Sequence, residues 1–567
     1  MNMHSNSQVM STVLVGLIFS TIAALILTNL TADWIWQLLG PQNCLIEIGK
    51  VAINMPFFGP LSQILKLTDF KAGLFTLIFI VIIVLFIVCF VLVIKRSAPP
   101  LDDQYSSGPK LLENKHAIKY LRKWLKAQSI PDGMLIHPLI QLTAKLENTN
   151  IFVFGMQGAG KSTLIKQWLL DIFKSKSDRC FIYDQKGEYQ ALLPKSNVVS
   201  ITADDSSNYF WDIGQDVLCC DDAELVAESM IESYNNSNDF FTVSARQVLI
   251  GVFFHLIKCS KPWSWSEVAK VLFCDDGDLQ NILEAAYLPA SKLIVPDSKS
   301  TQSIRSVITS QLGWIATMTQ IKGQIPWSVN GWLNQNIYPS HVLFKPSPKR
   351  PAKSRSMVNA LMSVITQLKL SAPDNEKEKT WLVIDELGNL PKSPSLESWL
   401  SLSRSKGGRM IAGTQNLSQI SQQYDNADSI FSLFGIIVAM RLGPSGISAE
   451  NAAKSMGNYI ARTTSQTVST DESKTENLQE RAVITKEDII HLPLANKLGV
   501  EGFLLIGGSN AVCRLKWPFP KTRIAEPDLA PSIQNTSEHT EISTKVLVQQ
   551  NRLNRRRKKQ TSKEIKS

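Results

Sequence analysis

The chain has 567 residues and a formal net charge of +10 at pH 7, with a mean hydropathy of −0.01. This length suffices for several domains and for at least one large hydrophobic core. The eight cysteines include no CxxC pair, and no HxxxH spacing occurs, so we expect neither a disulfide framework nor a structural metal site.

Two uncharged apolar segments lie near the amino terminus, at residues 10–30 and 72–94. Each is long enough to cross about 30 Å of hydrocarbon as a helix. The first could instead be a cleaved signal peptide, but it has no basic leading region and no small-x-small cleavage site. Lys95 and Arg96 follow the second segment directly, which favours the cytoplasm on that side. We therefore predict a membrane stem at residues 1–96, with two spans, an outward loop at about 31–71 and a cytoplasmic body.

A Pro-, Ser- and Gly-rich linker follows the second segment, and beyond it short apolar runs alternate with helical patterns. This alternation predicts an α/β domain with a parallel sheet. The candidate strands are residues 133–142, 151–154, 180–184, 198–202, 381–385, 410–414 and 435–440, with further short strands within 502–517.

The pattern changes between residues 218 and 330, where amphipathic helical stretches follow one another without strand signals. We predict an all-α insertion there, within an α/β domain formed by residues 97–217 and 331–524. Residues 525–567 are polar and predict a disordered tail. Its last part, residues 552–567, has eight Lys and Arg and one Glu. Such a block is either simply solvated or contacts nucleic acid, an acidic protein surface or anionic lipid.

The stretch IFVFGMQGAGKST matches the phosphate-binding pattern GxxxxGK[ST]. An apolar strand precedes it and a helical pattern follows, so backbone N–H groups can wrap a nucleotide's phosphates at a helix start. Lys161 is predicted to reach the β- and γ-phosphates, and Ser162 to ligate Mg²⁺. The predicted nucleotide-binding residues in this loop are Gly155, Met156, Gln157, Gly158, Ala159, Gly160, Lys161, Ser162 and Thr163.

A second motif, TWLVIDELGN, combines an apolar run with two carboxylates, Asp385 and Glu386. An aspartate after such a strand holds the Mg²⁺ of P-loop enzymes, and a neighbouring glutamate can act as general base towards water. We predict these roles for Asp385 and Glu386. The alternative is that the pair only caps the following turn.

Two further motifs supply polar candidates. In RSKGGRMIAGTQNL, Gln415 ends an apolar run and is predicted to sense the γ-phosphate or to position water. Arg404 is the candidate arginine finger towards a neighbouring subunit, and Arg404 and Arg409 could equally be ordinary surface charges. In YDQKGEY, Asp184 and Glu188 either line the same crevice or close a turn.

In this order, the two apolar segments, the phosphate loop, YDQKGEY, VIDELGN and the GTQ strand resemble the type IV secretion coupling proteins of the TraD/TrwB family, a branch of the FtsK/HerA-like ATPases. FFTVSARQVLIGVF and GFLLIGGSNAVCRLKWPFPK are also similar to family counterparts. The resemblance covers roughly residues 10–520. The stretch LIQLTAKLENTN departs from the glycine-threonine-glycine run that relatives have before the loop.

This resemblance implies a RecA-like P-loop domain with an all-α insertion, anchored by two spans in a bacterial inner membrane. It implies a homo-hexamer whose Mg²⁺-dependent ATP hydrolysis is stimulated by DNA. The resemblance also implies that this hexamer moves a relaxase-bound single strand into a type IV secretion channel during conjugation. Pore residues cannot be identified from the sequence, and Arg246, Lys270 and Arg305 are only positive candidates.

Two alternatives remain open at this point. One is a membrane-anchored receptor ATPase that recruits protein effectors to a type IV secretion system. The other is an FtsK/HerA-like DNA pump, although such pumps usually have more spans and a winged-helix module. An ABC transporter ATPase is disfavoured, because the chain has no LSGGQ-type signature between the two nucleotide motifs.

Overall fold

The computed structural model describes residues 103–519, except 176, 194–197, 204–206, 234–238, 260, 319–323, 335–336, 425–426, 446 and 468–472. The predicted spans, the outward loop and the basic tail lie outside the described residues. The chain forms two compact units. One comprises residues 1–104 and 462–478, and the other comprises residues 105–461 and 479–567. The main sheet, the helices and the candidate site described below belong to the second unit.

The strands of the described chain are β1 Asp103–Ser107, β2 Lys110–Glu113, β3 Leu135–His137, β4 Ile140–Gln141, β5 Ile151–Phe154, β6 Arg179–Tyr183, β7 Val198–Thr202, β8 Tyr209–Trp211, β9 Ile325–Trp327, β10 His341–Lys345, β11 Thr380–Ile384, β12 Gly408–Thr414, β13 Ile436–Met440, β14 Asn458–Thr467, β15 Ser473–Ala482, β16 Val500–Ile506 and β17 Ala511–Trp517. Five of these strands, β5, β6, β8, β11 and β12, are buried at every residue. The candidate strands predicted from the sequence are confirmed within one or two residues, with one exception. Residues 133–142 form the two-stranded pair β3–β4 instead of one strand.

The main sheet has the strand order β2-β17-β16-β13-β5-β12-β11-β6-β10-β7 in the described chain. The seven strands from β13 to β7 are parallel, as predicted. The prediction of a parallel sheet is wrong for β16, which runs antiparallel to both β13 and β17. The pairing of β16 with β17 has a local reason: the two strands are joined by the tight turn Gly507–Asn510, and a turn of this length connects only antiparallel strands.

Helices cover both faces of this sheet. They are α1 Asn114–Gln128, α2 Ala144–Glu147, α3 Lys161–Ile172, α4 Cys220–Met230, α5 Phe240–Lys258, α6 Trp265–Leu272, α7 Asp276–Ala286, α8 Leu288–Ser291, α9 Lys299–Leu312, α10 Val329–Asn334, α11 Pro351–Ser371, α12 Pro394–Leu402, α13 Leu417–Gln423, α14 Ala427–Ser432, α15 Ser448–Ser455 and α16 Lys486–Ile490. Alternate residues of each central strand therefore enter different cores. In β5, Phe152 and Phe154 pack on one side, and Ile151 and Val153 on the other.

The segment predicted as an all-α insertion contains α4 to α9 and one short strand, β9, near its end. Helix α5 is its centre. By length and hydropathy alone, α5 is the one helix of the described chain that could span a membrane, and 56% of its most apolar window is buried inside the protein. Its Asp239 N-cap accepts a hydrogen bond from the Phe241 N–H at 3.2 Å, so a buried core helix begins at this point.

Two arginines of this helical segment stabilise helix ends. The Arg246 guanidinium donates to the Ile231 carbonyl at 2.8 and 3.0 Å, where α4 ends. Arg305 pairs with Asp276 at 2.9 Å and donates to the carbonyls of Leu272 and Cys274, where α6 ends. These side chains satisfy carbonyls at helix C-termini, so neither is free to grip a phosphate. Lys270, the third positive candidate for the pore, has an exposed side chain.

A buried ion cluster lies at the amino-terminal edge of the three central strands. Glu147, fully buried before β5, contacts Arg409 Nε of β12 at 2.7 Å and Lys379 Nζ, before β11, at 2.7 Å. Its other oxygen accepts from the Met134 N–H at 2.6 Å. Burial lowers the pKa of Arg409, and the Glu147 charge opposes that shift. Removing one partner of such a cluster leaves an uncompensated buried charge.

We expect Glu147→Gln to lower the free energy of unfolding by about 3–5 kcal/mol, because Arg409 then loses its buried counter-charge. Urea unfolding of the purified protein, followed by tryptophan fluorescence, measures this change. The matched control is Glu450→Gln, which breaks an exposed pair with Lys454 and should leave the unfolding midpoint unchanged. Equal midpoints for all three proteins would contradict a stabilising role for the cluster.

Candidate functional site

The glycine-rich loop connects the buried strand β5 to helix α3, as the sequence pattern requires. Gly158 and Gly160 have φ values of +80° and +99°. A side chain at Gly160 would also lie 2.6 Å from the Val500 side chain, so glycine is needed there for space as well as for conformation. The Gly155 N–H donates to the Thr414 carbonyl at 3.1 Å, which fixes the loop to β12.

Backbone hydrogen bonds also hold other residues of the glycine-rich loop. The Met156 N–H donates to the Arg441 carbonyl at 2.8 Å, and the Ala159 N–H donates to the Met156 carbonyl at 3.1 Å. The side chain of Gln157 is exposed, whereas Ser162 and Thr163 are half-buried in the first turn of α3. The loop therefore turns tightly in front of a helix N-terminus, where anions are favoured.

Lys161 brings the first two predicted motifs together. Its ammonium contacts Glu386 Oε2 at 2.9 Å and Asp385 Oδ1 at 3.5 Å, and it also donates to the Asp385 carbonyl. The Ser162 hydroxyl donates to Asp385 Oδ2 at 2.9 Å. All three charged groups are buried. The predicted phosphate-binding lysine and both predicted carboxylates thus lie within one cluster.

The third motif joins the same cluster through strand β12. The second oxygen of Glu386, Oε1, accepts from the Gln415 N–H at 2.9 Å and from the Thr414 hydroxyl at 3.0 Å. Gln415 is half-buried at the carboxyl end of β12, next to the end of β5. Glu386 therefore links the loop lysine to the strand that ends in the predicted sensor.

The fourth motif approaches from β6. Asp184 accepts hydrogen bonds from the Glu188 and Tyr189 N–H groups at 3.0 and 2.9 Å, which closes the turn. Burial raises the pKa of Asp184, and the nearby Asp385 charge raises it further. The backbone N–H donors of the turn act in the opposite direction and lower it. The Glu188 carboxylate pairs with Lys166 of α3 at 3.3 Å. Asp184 thus supports the crevice mainly by shaping this turn.

Two residues of the site were missed in the sequence analysis. Tyr189 is buried beside Asp385 and Ser162, and burial followed by the Asp385 charge raises the pKa of its hydroxyl. Gly413 of β12 lies against Lys161, and a side chain there would approach Lys161 Cδ to 2.9 Å and the Asp385 carbonyl to 2.7 Å. Both lie within the quoted stretches YDQKGEY and RSKGGRMIAGTQNL, but their contacts depend on the pairing of distant strands, which the local pattern does not reveal.

The two candidate arginines differ in their surroundings. Arg404 is exposed before the amino end of β12, at the edge of the sheet opposite Lys161. Any contact of Arg404 with a nucleotide would therefore involve another subunit, and its role as an arginine finger stays a prediction. Arg409 is completely buried against Glu147 and belongs to the ion cluster of the fold.

The assembled site can bind a polyphosphate and activate water. It offers a helix N-terminus and a buried lysine for negative charge. A hydroxyl and a carboxylate lie side by side, which are oxygen ligands of the kind that Mg²⁺ prefers. A second carboxylate beside the lysine has the chemistry to act as a general base. In the described residues, no group of three or more His, Cys, Asp and Glu is arranged to hold a metal ion by protein ligands alone.

We expect Gly413→Ala to lower the free energy of unfolding by about 1–3 kcal/mol, because the added methyl group overpacks the contact between Lys161 and the Asp385 carbonyl. Urea unfolding measures this change. The matched control is Gly277→Ala in α7, where nothing lies within 4 Å of the added atom and alanine is the better helix former. A Gly413 variant as stable as the Gly277 variant would disprove the close contact.

Comparisons with known proteins identify the relatives of this chain. Residues 134–518 match the family model described as the type IV secretion-system coupling protein DNA-binding domain. The coupling protein TraD of Escherichia coli (strain K12) is 24% identical over 367 residues, which are 63% of this chain and 50% of TraD. The chain thus spans about half the length of this curated relative.

Solved structures of the bacterial conjugative coupling protein TrwB share the fold. The unbound monoclinic form of TrwB superposes with a TM-score of 0.64 at 18% identity, covering 76% of this chain and 97% of that one. TrwB with the ATP analogue ADPNP gives 0.62 at 19% identity, covering 75% and 96%. TrwB with ADP and Mg²⁺ gives 0.63 at 19% identity, covering 77% and 99%. The α/β fold expected from the motifs is therefore the fold of TrwB. Because the family model matches well over half of the chain, this protein belongs to the type IV secretion-system coupling protein family.

Proposed function

We propose that this chain is the ATPase that couples a relaxase-bound DNA strand to a type IV secretion channel and drives DNA transfer in conjugation. The observation that carries the proposal is the buried cluster of Lys161, Asp385 and Glu386 beside Gln415. A receptor that only docks cargo has no need of a general base beside a phosphate-binding lysine. Membership of the coupling protein family supplies the biological setting.

ATP and Mg²⁺ fit the residues of this cluster. Ser162 and Asp385 already share a hydrogen bond of 2.9 Å, and they would hold the cation through oxygen atoms. When bound there, Mg²⁺ neutralises charge that develops on the β- and γ-phosphates. The relative TrwB has been solved both with ADPNP and with ADP and Mg²⁺, which supports the same ligands for this chain.

The protein groups then have separate roles in hydrolysis. The loop from Gly155 to Thr163 wraps the phosphates with backbone N–H groups, and Lys161 donates to the β- and γ-phosphate oxygens. A triphosphate competes with Glu386 for Lys161, so binding releases one oxygen of Glu386 to take a proton from water. Gln415, whose N–H holds the other oxygen of Glu386, orients that water or senses the γ-phosphate.

The assembly that we propose is a homo-hexamer on an inner-membrane stem with two spans, at residues 10–30 and 72–94. Its partners are single-stranded DNA, the relaxase or relaxosome and the components of the secretion channel. Arg404 is exposed at the opposite edge of the sheet, where it can act only on a neighbouring subunit's nucleotide. The helical segment from α4 to α9 helps to select the substrate.

The second candidate function is recruitment of protein effectors to a type IV secretion system, with ATP hydrolysis that DNA does not affect. Membership of a type IV secretion-system family is equally compatible with a protein cargo and with a DNA cargo. The matched family model describes a DNA-binding domain, and this favours DNA as the substrate. Membership of a secretion-system coupling protein family makes a general FtsK/HerA-like DNA pump the weaker alternative.

We expect ATP hydrolysis by the purified full-length protein to rise on addition of single-stranded DNA. The stimulation should weaken as salt concentration increases, because Lys and Arg contacts to phosphates release counter-ions. Phosphate release, measured with and without DNA and beside Lys161→Ala, tests this. Activity that DNA leaves unchanged but Lys161→Ala abolishes would favour the protein-effector alternative, and activity that survives Lys161→Ala would contradict the assigned site.

We expect Glu386→Gln to lower kcat about 10²–10⁴-fold while nucleotide affinity is retained, because glutamine cannot accept the proton from water. Single-turnover hydrolysis and equilibrium binding of a fluorescent ATP analogue separate these two effects. Glu397→Gln on the exposed side of α12 is the matched control and should hydrolyse ATP normally. A Glu386 variant with normal kcat would show that another group serves as the base.

A further inference from the structure

All the charged residues that helix α1 exposes are cationic. Its buried residues Ala117, Leu121 and Leu125 pack towards the sheet. The helix has no Asp or Glu, and its five Lys and Arg side chains are all exposed. We call these residues the α1 basic face: Lys115, Lys119, Arg122, Lys123 and Lys126. Four of them recur at intervals of four, three and four residues, so they form one stripe along the helix.

This charge is not neutralised by the protein. In the described part of the chain, no residue of the α1 basic face forms an ion pair. The carboxylate that precedes the helix, Glu113, contacts Arg514 at 3.6 Å, and Arg514 pairs with Glu501 at 2.8 Å. Like charges three and four residues apart destabilise a helix. A polyanionic surface outside the protein would remove that repulsion.

We propose that the α1 basic face binds the phosphates of anionic phospholipid headgroups at the cytoplasmic surface of the membrane. The inference rests on the membrane anchoring in the proposed function. Residues 95–102 alone separate the predicted end of the second span from Asp103, the first residue of β1. Eight extended residues reach about 30 Å at most, so the tether keeps Asp103 close to the lipid surface, and Lys115 follows Asp103 by only 12 residues along the chain.

The side chains around α1 suit lipid better than single-stranded DNA. Ile130, two residues past the end of α1, is 82% exposed, and an apolar side chain beside cations fits the boundary between headgroups and acyl chains. Sites for single-stranded DNA instead combine cations with exposed aromatic rings on which bases stack. The aromatic residues of α1, Tyr120 and Trp124, are half-buried, and the Tyr120 hydroxyl accepts from the Asn510 N–H at 3.2 Å.

Docking of this face would fix how the ATPase body is oriented towards the membrane. The attraction comes from the negative surface potential of the leaflet, which decays within about 10 Å at 0.1 M ionic strength. Contact should therefore weaken at high salt while the membrane spans stay inserted. Lysine reactivity reports this contact directly, because an ammonium group held by a phosphate reacts slowly with acylating reagents.

The experiment uses the full-length protein in nanodiscs of phosphatidylcholine, or of an equal mixture of phosphatidylcholine and phosphatidylglycerol. Lysines are acetylated with a water-soluble succinimidyl ester, and the rate at each site is read by mass spectrometry. We expect Lys115, Lys119, Lys123 and Lys126 to react about fivefold more slowly in the anionic discs. Lys292 and Lys299, exposed on the helical segment, are internal references whose rates should not change.

A variant with Lys119→Gln, Arg122→Gln and Lys123→Gln should restore fast acetylation of Lys115 and Lys126 in anionic discs, whereas Lys292→Gln with Lys299→Gln should not. Equal rates at the α1 basic face in both discs would overturn the inference. Protection that appears only with single-stranded DNA in neutral discs would assign the face to nucleic acid instead. A chain that fails to copurify with discs of either composition would refute the membrane anchoring itself, and the inference with it.

Discussion

The contact between Lys161 and Glu386, 2.9 Å long and buried, is the interaction on which the site depends. Lys161 begins the helix after β5, Glu386 follows β11, and Glu386 also accepts from two residues at the end of β12. One glutamate therefore connects the carboxyl ends of three central strands. Buried charges are stable only when they are paired and hydrogen-bonded, so each of these side chains is needed by the others.

The opposite edge of the same three strands has a similar arrangement with a different consequence. There, Glu147 pairs with Lys379, which precedes β11, and with Arg409, which lies in β12. That cluster lies away from the glycine-rich loop and serves stability alone. The cluster at the carboxyl edge lies beside a helix N-terminus and the glycine-rich loop, where a phosphate can exchange with a carboxylate for the same lysine. Location at the sheet edge, more than residue type, separates a structural ion cluster from a functional one.

Much of this arrangement could be predicted from local patterns. Strands such as β5 and β11 are unbroken apolar runs, and GxxxxGKS has a specific steric and electrostatic meaning. The carboxylates after β11 were predictable for the same reason, since carboxyl ends of parallel strands meet at one edge. The short strand β10, with the sequence HVLFK, was not predicted although it lies between β6 and β7, because five residues give too little periodicity.

The remaining features depend on contacts between distant residues. Arg404 and Arg409 are five positions apart and look alike in sequence, but only the second meets a buried glutamate. Arg246 and Arg305 were candidate pore cations in the sequence. In the structure both donate to carbonyls at the ends of helices, and no local sequence pattern reveals these contacts. Gly413 and Tyr189 contact the site across strand pairs, so their importance follows from the sheet order alone.

The most direct test of this account is a structure of the protein with Mg²⁺ and a non-hydrolysable ATP analogue, in which the distance from Lys161 Nζ to Glu386 Oε2 is measured. We predict that this distance increases from 2.9 Å to beyond hydrogen-bonding range, with Lys161 on the phosphates and Glu386 still bonded to the Gln415 N–H. A complex in which Lys161 stays bonded to Glu386 while the nucleotide is held elsewhere would contradict it.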